Sequence, residues 1–284
     1  DSFAIFIFVV LLFIDFFLEE FLLQPQQGIF TVPKQHTLIQ IYNFDSLPLI
    51  AMNIVRIGAQ TPSMACELEA NFFNDRPKNK IKSSEVSAVV GFGPMVWILI
   101  TPDAPVRGGF HSLDEIDIND VEVPATDGDM FLYFSSKSEE FNLILADKIK
   151  ELFGPSGNLI EEQVLEGGSH SDISSKKEEV LLNNSGNLDT VQSSFVMTQK
   201  FKTDNRLSCK LPQYSFPCQV DSESGQYAIT FSNNPKRLED FSESVTHSPI
   251  SRGLFFLPSL DLLTSLRMGG IRMGSLAINA KWKE

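Results

Sequence analysis

The sequence of 284 residues is poor in the side chains on which metal and redox chemistry usually draw. It has three cysteines, Cys66, Cys209 and Cys218, and no Cys-x-x-Cys pair, so the spacing of a structural zinc site or a dithiol redox motif is missing. At least one thiol stays unpaired. Cys209 and Cys218 flank the loop-like stretch "KLPQYSFP" and would bridge only in an oxidising compartment, so free thiols are the default reading. Four histidines, His36, His111, His170 and His247, lie far apart, and no P-loop, GxGxxG, GxSxG or HExxH run is present. His36 at a strand start and His111 in a polar loop read as satisfied or solvated. Positive charge is scarce too: 23 basic against 36 acidic residues leave a net charge of −13, which repels a phosphate backbone and argues against nucleic acid as the main partner. The basic run "RPKNKIK" at 76–82 reads as a solvated loop or helix end.

What the sequence has in quantity is apolar surface. Residues 3–23 are almost wholly apolar, interrupted by Asp15, Glu19 and Glu20. The uninterrupted part, Phe3 to Ile14, has the length of a signal-peptide core and falls short of the roughly 20 residues of a membrane span. Neither Met nor a basic stretch precedes it. Either the chain begins part-way through a precursor, or this segment docks on a membrane or a protein partner, since a lone Phe-rich helix would not stay in water. Both readings stay open, and both favour a secretory, extracellular or membrane-associated setting. The triplet Asn183-Asn184-Ser185 suits a secreted chain.

Beyond residue 27 the pattern is α+β. "HTLIQIYNF" alternates like a strand, and "SSEVSAVVGFGPMVWILI" reads as strand on both sides of a Gly-Phe-Gly-Pro turn. In "MFLYF", Met130, Leu132 and Phe134 share one strand face and Phe131 and Tyr133 the other. A helix follows, with Ser136 and Glu139 at capping-box spacing, Phe141, Ile144, Leu145, Ile149 and Leu152 along one stripe, and Gly154-Pro155 as its stop. Residues 156–189, rich in Gly, Ser, Asn and charge, read as a connection between two domains, 28–155 and 190–284. "QSSFVMTQKF", "GQYAITFS" and "GLFFLP" read as strands, and "SLDLLTSLRM" as a helix. The strand-then-helix order of the first part is thus repeated, and two antiparallel sheets that stack are expected.

The order "VVGFGPMVW", "PATDGDMFLYF", "FNLILADKIKELF", "SSFVMTQKF", a histidine, then "RGLFFLPSLDLL" resembles the dye-decolorising peroxidases over roughly residues 28–268. Pro-Ala-Thr-x-Gly-Asp at 124–129 is the most specific piece. The resemblance implies two tandem ferredoxin-like domains with antiparallel sheets and packed helices, and haem b held mainly by the second. It also implies peroxide and a small reducing substrate as reactants. A homo-oligomer is compatible with this reading.

The resemblance assigns residues. In "THSPISRGLFF", His247 takes the place of the proximal iron ligand, and a carboxylate on its other ring nitrogen, with Asp240 and Glu243 near in sequence, would strengthen it as a donor. The distal Gly-x-x-Asp-Gly motif has only "LEGGSHSDIS" as counterpart: Gly167 matches the first glycine, the aspartate position falls on His170, and Asp172 lies two residues later. Either side chain can move a proton between peroxide oxygens. Between His247 and the Gly-Leu-Phe-Phe run the interval is short, so a family strand is missing. Arg252 is left as the residue to stabilise charge on the oxygen being cleaved, and as a cofactor contact. Two functions of different class follow. One is a weak haem peroxidase using His247, His170 or Asp172, and Arg252. The other is a degenerate relative kept as a structural or interaction subunit.

Overall fold

The structure is a computed structural model that describes residues 25–72, 85–100, 110–118, 121–125, 128–170, 173–182, 193–202, 211–244, 249–267, 271–273 and 276–278. The apolar segment 3–23 lies outside them.

Nine strands form one sheet in the order β6-β1-β5-β2-β11-β8-β10-β9-β7. The first half consists of β1 (His36–Phe44), β2 (Ser87–Phe92), β5 (Met130–Ser136) and β6 (Gly157–Glu166). The second consists of β8 (Ser194–Phe201), β9 (Gln213–Val220), β10 (Glu223–Ser232) and β11 (Ser251–Leu257). Each half runs, in its own chain order, fourth-first-third-second, and every neighbouring pair is antiparallel. The short β7 (Ser169–His170) pairs with β9 at the far edge, and β3 (Ile116–Ile118) pairs with β4 (Val121–Val123) in a separate two-stranded ribbon.

The two sets of strands are not separate sheets, as the sequence suggests, but one sheet joined at β2 and β11. The direct pairing there is the single match of Phe92 with Phe256. A side chain completes it. Gln26 is buried, its amide nitrogen donates to the carbonyls of Val90 and Pro258, both at 2.8 Å, and its amide oxygen accepts from the Val90 N–H at 2.8 Å. One glutamine thus supplies both the donor and the acceptor that a neighbouring backbone would offer.

Helices cover one face of the sheet. They are α1 (Leu47–Phe72), α2 (Pro94–Ile100), α3 (Glu139–Phe153), α5 (Pro235–Ser244) and α6 (Leu260–Arg267), while the single-turn α4 (Lys177–Val180) buries Val180 in the core on the other face. Met130, Leu132 and Phe134 enter this helical core, whereas Phe131 and Tyr133 enter a second core on the opposite face, as the alternation of β5 requires. The second core collects Ile39, Phe131 and Tyr133 from the first half and Tyr214, Tyr227 and Phe255 from the second. Tyr133 stacks on Tyr214 at 6.2 Å, Phe131 on Phe255 at 5.4 Å, and β6 comes into contact with β9, so the sheet curls until its two ends meet around this core. Gly167, at φ 53°, and Gly168, against which the Phe216 ring packs, carry the chain from one end to the other.

Four expectations need correction. Residues 156–189 are not a connection throughout: 157–166 form β6, which pairs with β1 along its length, so the first half extends past residue 155. Its polar alternation reflects one solvated face. "PMVWILI" is helix α2, with Pro94 at its first position, where a missing N–H costs nothing. "QYSFPC" is part of β9, and Pro217 is tolerated because β7 pairs only at Tyr214 and Ser215, leaving an open edge beyond them. The cap of α3 is Ser138, whose Oγ accepts from the Phe141 N–H at 3.3 Å, while Ser136 bonds to the Ser138 backbone.

Candidate functional site

Of the chain between β2 and β5, the described parts around Trp97 and Phe110 leave the first half and lie over the second. Phe110 packs on Phe195 and Phe256 at 5.3 and 6.2 Å, and Trp97 lies 4.4 Å from Phe256. The end of this excursion is the Pro-Ala-Thr-Asp-Gly-Asp stretch, and its role is now visible. Asp129 accepts the Phe44 N–H on its carboxylate at 2.8 Å and donates its own N–H to the Tyr42 carbonyl at 2.8 Å. The Gly93 N–H donates to the Asp129 carbonyl at 2.9 Å. A Cβ on Gly93 would fall onto the Gly128 carbonyl oxygen, so glycine is required by that approach. Ala125 pairs in parallel with Arg252 at the start of β11. The motif therefore ties the first half to the strand that carries the arginine.

Arg252 is 2 % exposed, and its Nη2 donates to the Asp114 carbonyl. By alternation it shares the helical face with Leu254 and Phe256, both in the helical core. Its cross-strand partner is Gln199, whose amide donates to Ser242 Oγ of α5 at 3.0 Å. On the same helix Glu239 is buried, with His111 Nε2 at 3.7 Å and Lys236 Nζ at 3.6 Å. Asp240 is paired with Lys236 at 3.2 Å. The result is a buried polar patch, Arg252, Gln199, Ser242 and Glu239, at the end of an apolar face made by Phe195, Met197, Leu254 and Phe256. The Gln199 and Glu239 Oε1 atoms are buried and make no hydrogen bond. An orphaned acceptor such as Gln199 Oε1, opposite Arg252 across the strands, is unusual in a finished core, whereas Glu239 Oε1 faces His111.

In residue chemistry the patch offers an apolar wall and a buried cation, which suit one edge of a haem site, although Trp97 and Phe110 pack on that wall. The axial position does not enter that test, because His247 lies outside the described residues, between α5 and β11. Asp172 also lies outside them. His170 is described in its backbone, on β7 opposite Tyr214. Between β7 and β11 stand β9, β10 and β8, so at about 4.8 Å per strand the two backbones are about 19 Å apart along the sheet. Of the assigned residues the structure places Arg252 in the patch and His170 at the sheet's far edge.

A second polar cluster went unread in the sequence. Alternation along β6 puts Glu161 on the face of Leu165, opposite Ile41 of the second core, and a bulge just before it sends Leu159 to the helical core instead. There it lies among Lys200, Tyr227 and Cys218 of the other half. Burial pushes the Glu161 carboxyl up, with the charge of Lys200 and the nearby Tyr227 hydroxyl opposing the rise. Burial also raises the Tyr227 hydroxyl well above its ordinary range and the Cys218 thiol. Lone residues in an alternating strand gave no signal for this; only the approach of β6 to the second half brings them together. Cys66 and Cys218 are free thiols, and Cys209 lies outside the described residues. Among the described residues no helix is long and apolar enough to cross a membrane.

No family model matches this sequence, and no curated protein is similar to it in sequence. Solved structures are similar in fold. A dye-decolorizing peroxidase from Bacteroides thetaiotaomicron superposes with a TM-score of 0.65 at 16 % identity, covering 86 % of this chain and 99 % of its own. DyPB from Rhodococcus jostii gives 0.69 at 14 %, covering 85 % and 97 %, and variants of that protein are described in complex with heme. The encapsulated DyP-type peroxidase from Mycobacterium smegmatis gives 0.66 at 16 %, covering 84 % and 97 %. At such identities the likeness is one of fold. The chain has a mixed helical and antiparallel-sheet fold of the DyP-type peroxidases.

Proposed function

We propose that this chain is a divergent haem-dependent peroxidase of the dye-decolorising type, reducing peroxide slowly at the expense of a small electron donor, and that its two halves are tandem ferredoxin-like units. The observation that carries the reading is the buried patch of Arg252, Gln199, Ser242 and Glu239, with the Gln199 Oε1 left without a hydrogen bond, on the helical face of the second half. When bound, haem would supply the redox chemistry. His247, which follows α5 by three residues, is the candidate to hold its iron, and Arg252 the candidate to hold a peroxide oxygen or a haem carboxylate. His170 or Asp172 would move the proton. Proton transfer is typically worth about 10²–10⁴-fold and a preorganised charge-stabilising donor about 10²–10³-fold, so a site with a shifted distal group turns over slowly.

One observation favours a second reading, a peroxidase-like scaffold without turnover. Arg252 already has structural work, holding the Asp114 carbonyl and pairing with Ala125, so its retention needs no catalytic explanation. The visible spectrum of the full chain after haem reconstitution, followed by peroxide-dependent dye oxidation, separates the two. A Soret band lost in His247→Ala, with turnover lowered in His170→Ala or Asp172→Ala, supports the peroxidase. No Soret band leaves the scaffold, and a band indifferent to His247→Ala removes that residue as ligand.

A further inference from the structure

We propose that His36, Glu139 and Glu166 form a binding site for a first-row divalent metal ion, zinc in the first instance, where β1, β6 and the first turn of α3 meet. Three elements converge there. His36 opens β1 and is the register partner of Glu166 at the end of β6, while Glu139 is the first residue of α3. One coordinating atom from each lies within 4.8 Å of the other two. The His36 Nδ1 is shut off from solvent and makes no hydrogen bond, with Glu166 Oε1 3.5 Å away and the imidazole only 15 % exposed. Neither glutamate meets a lysine or an arginine among the described ion pairs. Two carboxylates brought together beside an imidazole without a basic partner form a site that a cation would neutralise.

The backbone beneath is fixed. His36 is paired on one side with Ser136 and on the other with Glu166, and its carbonyl accepts from Asn142 Nδ2 of α3 at 3.1 Å. Glu139 is held by the Ser138 cap next to it. Zinc binds nitrogen and carboxylate oxygen at about 2.0–2.2 Å, which places tetrahedral ligand atoms about 3.4 Å apart. The gap to be closed is at most about 1.4 Å, and both glutamates are exposed and able to rotate. One imidazole with two carboxylates suits zinc and its first-row neighbours, whereas calcium and magnesium prefer all-oxygen shells. Three protein ligands at a surface leave a fourth position to water. The ion would clamp the start of α3 to the edge strand β6, a role independent of any haem chemistry.

The test is calorimetric titration of the tag-free full chain with zinc sulfate, alongside thermal unfolding. The expected result is one ion per chain and a melting temperature that rises with zinc concentration, since an ion bound to the folded state stabilises it by mass action. Glu139→Gln, Glu166→Gln and His36→Asn should each weaken zinc binding at least about 10-fold, as loss of a ligand or its support does. The glutamates are exposed, so their glutamine forms should fold, with circular dichroism as the check. His111→Asn, beside Glu239, should leave the affinity unchanged. No zinc response would reduce the cluster to an ordinary His36–Glu166 ion pair. Zinc binding unaffected by the three substitutions, or calcium bound as tightly as zinc and indifferent to His36→Asn, would overturn the assignment.

Discussion

The two halves share a strand order and differ in what lies above it. Over the first half, α1 and α3 arise between its own strands and cover its own sheet. Over the second half, much of the cover is borrowed: Trp97 of α2 and Phe110, both from the excursion between β2 and β5, pack on Phe195 and Phe256. The segment between β8 and β9, residues 202–212, is too short to hold a counterpart of the 26-residue α1. The first half therefore completes the second. This explains why the Pro-Ala-Thr-Asp-Gly-Asp stretch matters: it anchors that excursion at both ends, on Phe44 and Tyr42 in one half and on Arg252 in the other.

If the halves depend on shared packing, the largest loss should come from the aromatic contact between them. Phe256→Ala removes a fully buried ring that touches Trp97, Phe110 and Phe195, and a Phe→Ala change in a core costs about 3–5 kcal/mol. Urea unfolding should show this as a single transition at a lower midpoint. A loss below about 1 kcal/mol would mean that the borrowed cover contributes little.

The joint itself should come next. Gln26→Leu keeps the bulk but leaves the Val90 N–H and the carbonyls of Val90 and Pro258 without their partner, and each buried unsatisfied group costs about 1–3 kcal/mol before relaxation. A net loss of about 2–3 kcal/mol is expected, with the two halves unfolding in separate steps if Gln26 is what couples them. An unchanged midpoint would show that the Phe92–Phe256 pairing suffices.

Ser138→Ala tests the first half alone. Loss of this helix cap should cost about 1 kcal/mol, without any effect on cooperativity between the halves. A larger effect would place the start of α3 in the coupling.

The smallest effect concerns the ends of the sheet, where Glu161 faces Lys200 and Tyr227. Its carboxyl is raised above the unfolded value of about 4.3, so the folded state holds the proton more tightly than the unfolded one. The associated stability is complete below about pH 4.3 and is lost as pH climbs through the raised folded value. Glutamine resembles the protonated acid. Glu161→Gln should therefore match the wild type in melting temperature near pH 4 and exceed it near pH 7. Equal or lower stability at pH 7 would show that the attraction to Lys200 outweighs burial.

Sequence alone determined the elements with a clear period and clear punctuation. β1, β5, β8, β10 and β11 were legible because alternation or a short apolar run is a local property. The end of α3 was legible because Gly154 can take φ 62° at the stop. Arg252 was singled out only through a resemblance; nothing in its sequence neighbours announces that it is buried.

Tertiary structure decided the rest, for reasons that a local pattern does not contain. "PMVWILI" is apolar on all sides and suits strand or helix equally, and its contact with Phe256 settles it as helix. The first half of 156–189 looks like a loop because one face of β6 is solvated, yet β1 supplies a full antiparallel partner. Glu161 is half-buried only because the other half of the sheet closes over that face of β6, and Gln26 becomes a structural joint only because the ends of two strands fail to reach each other. Each of these depends on residues tens to hundreds of positions away, where hydrogen bonds must be satisfied and apolar faces covered at once.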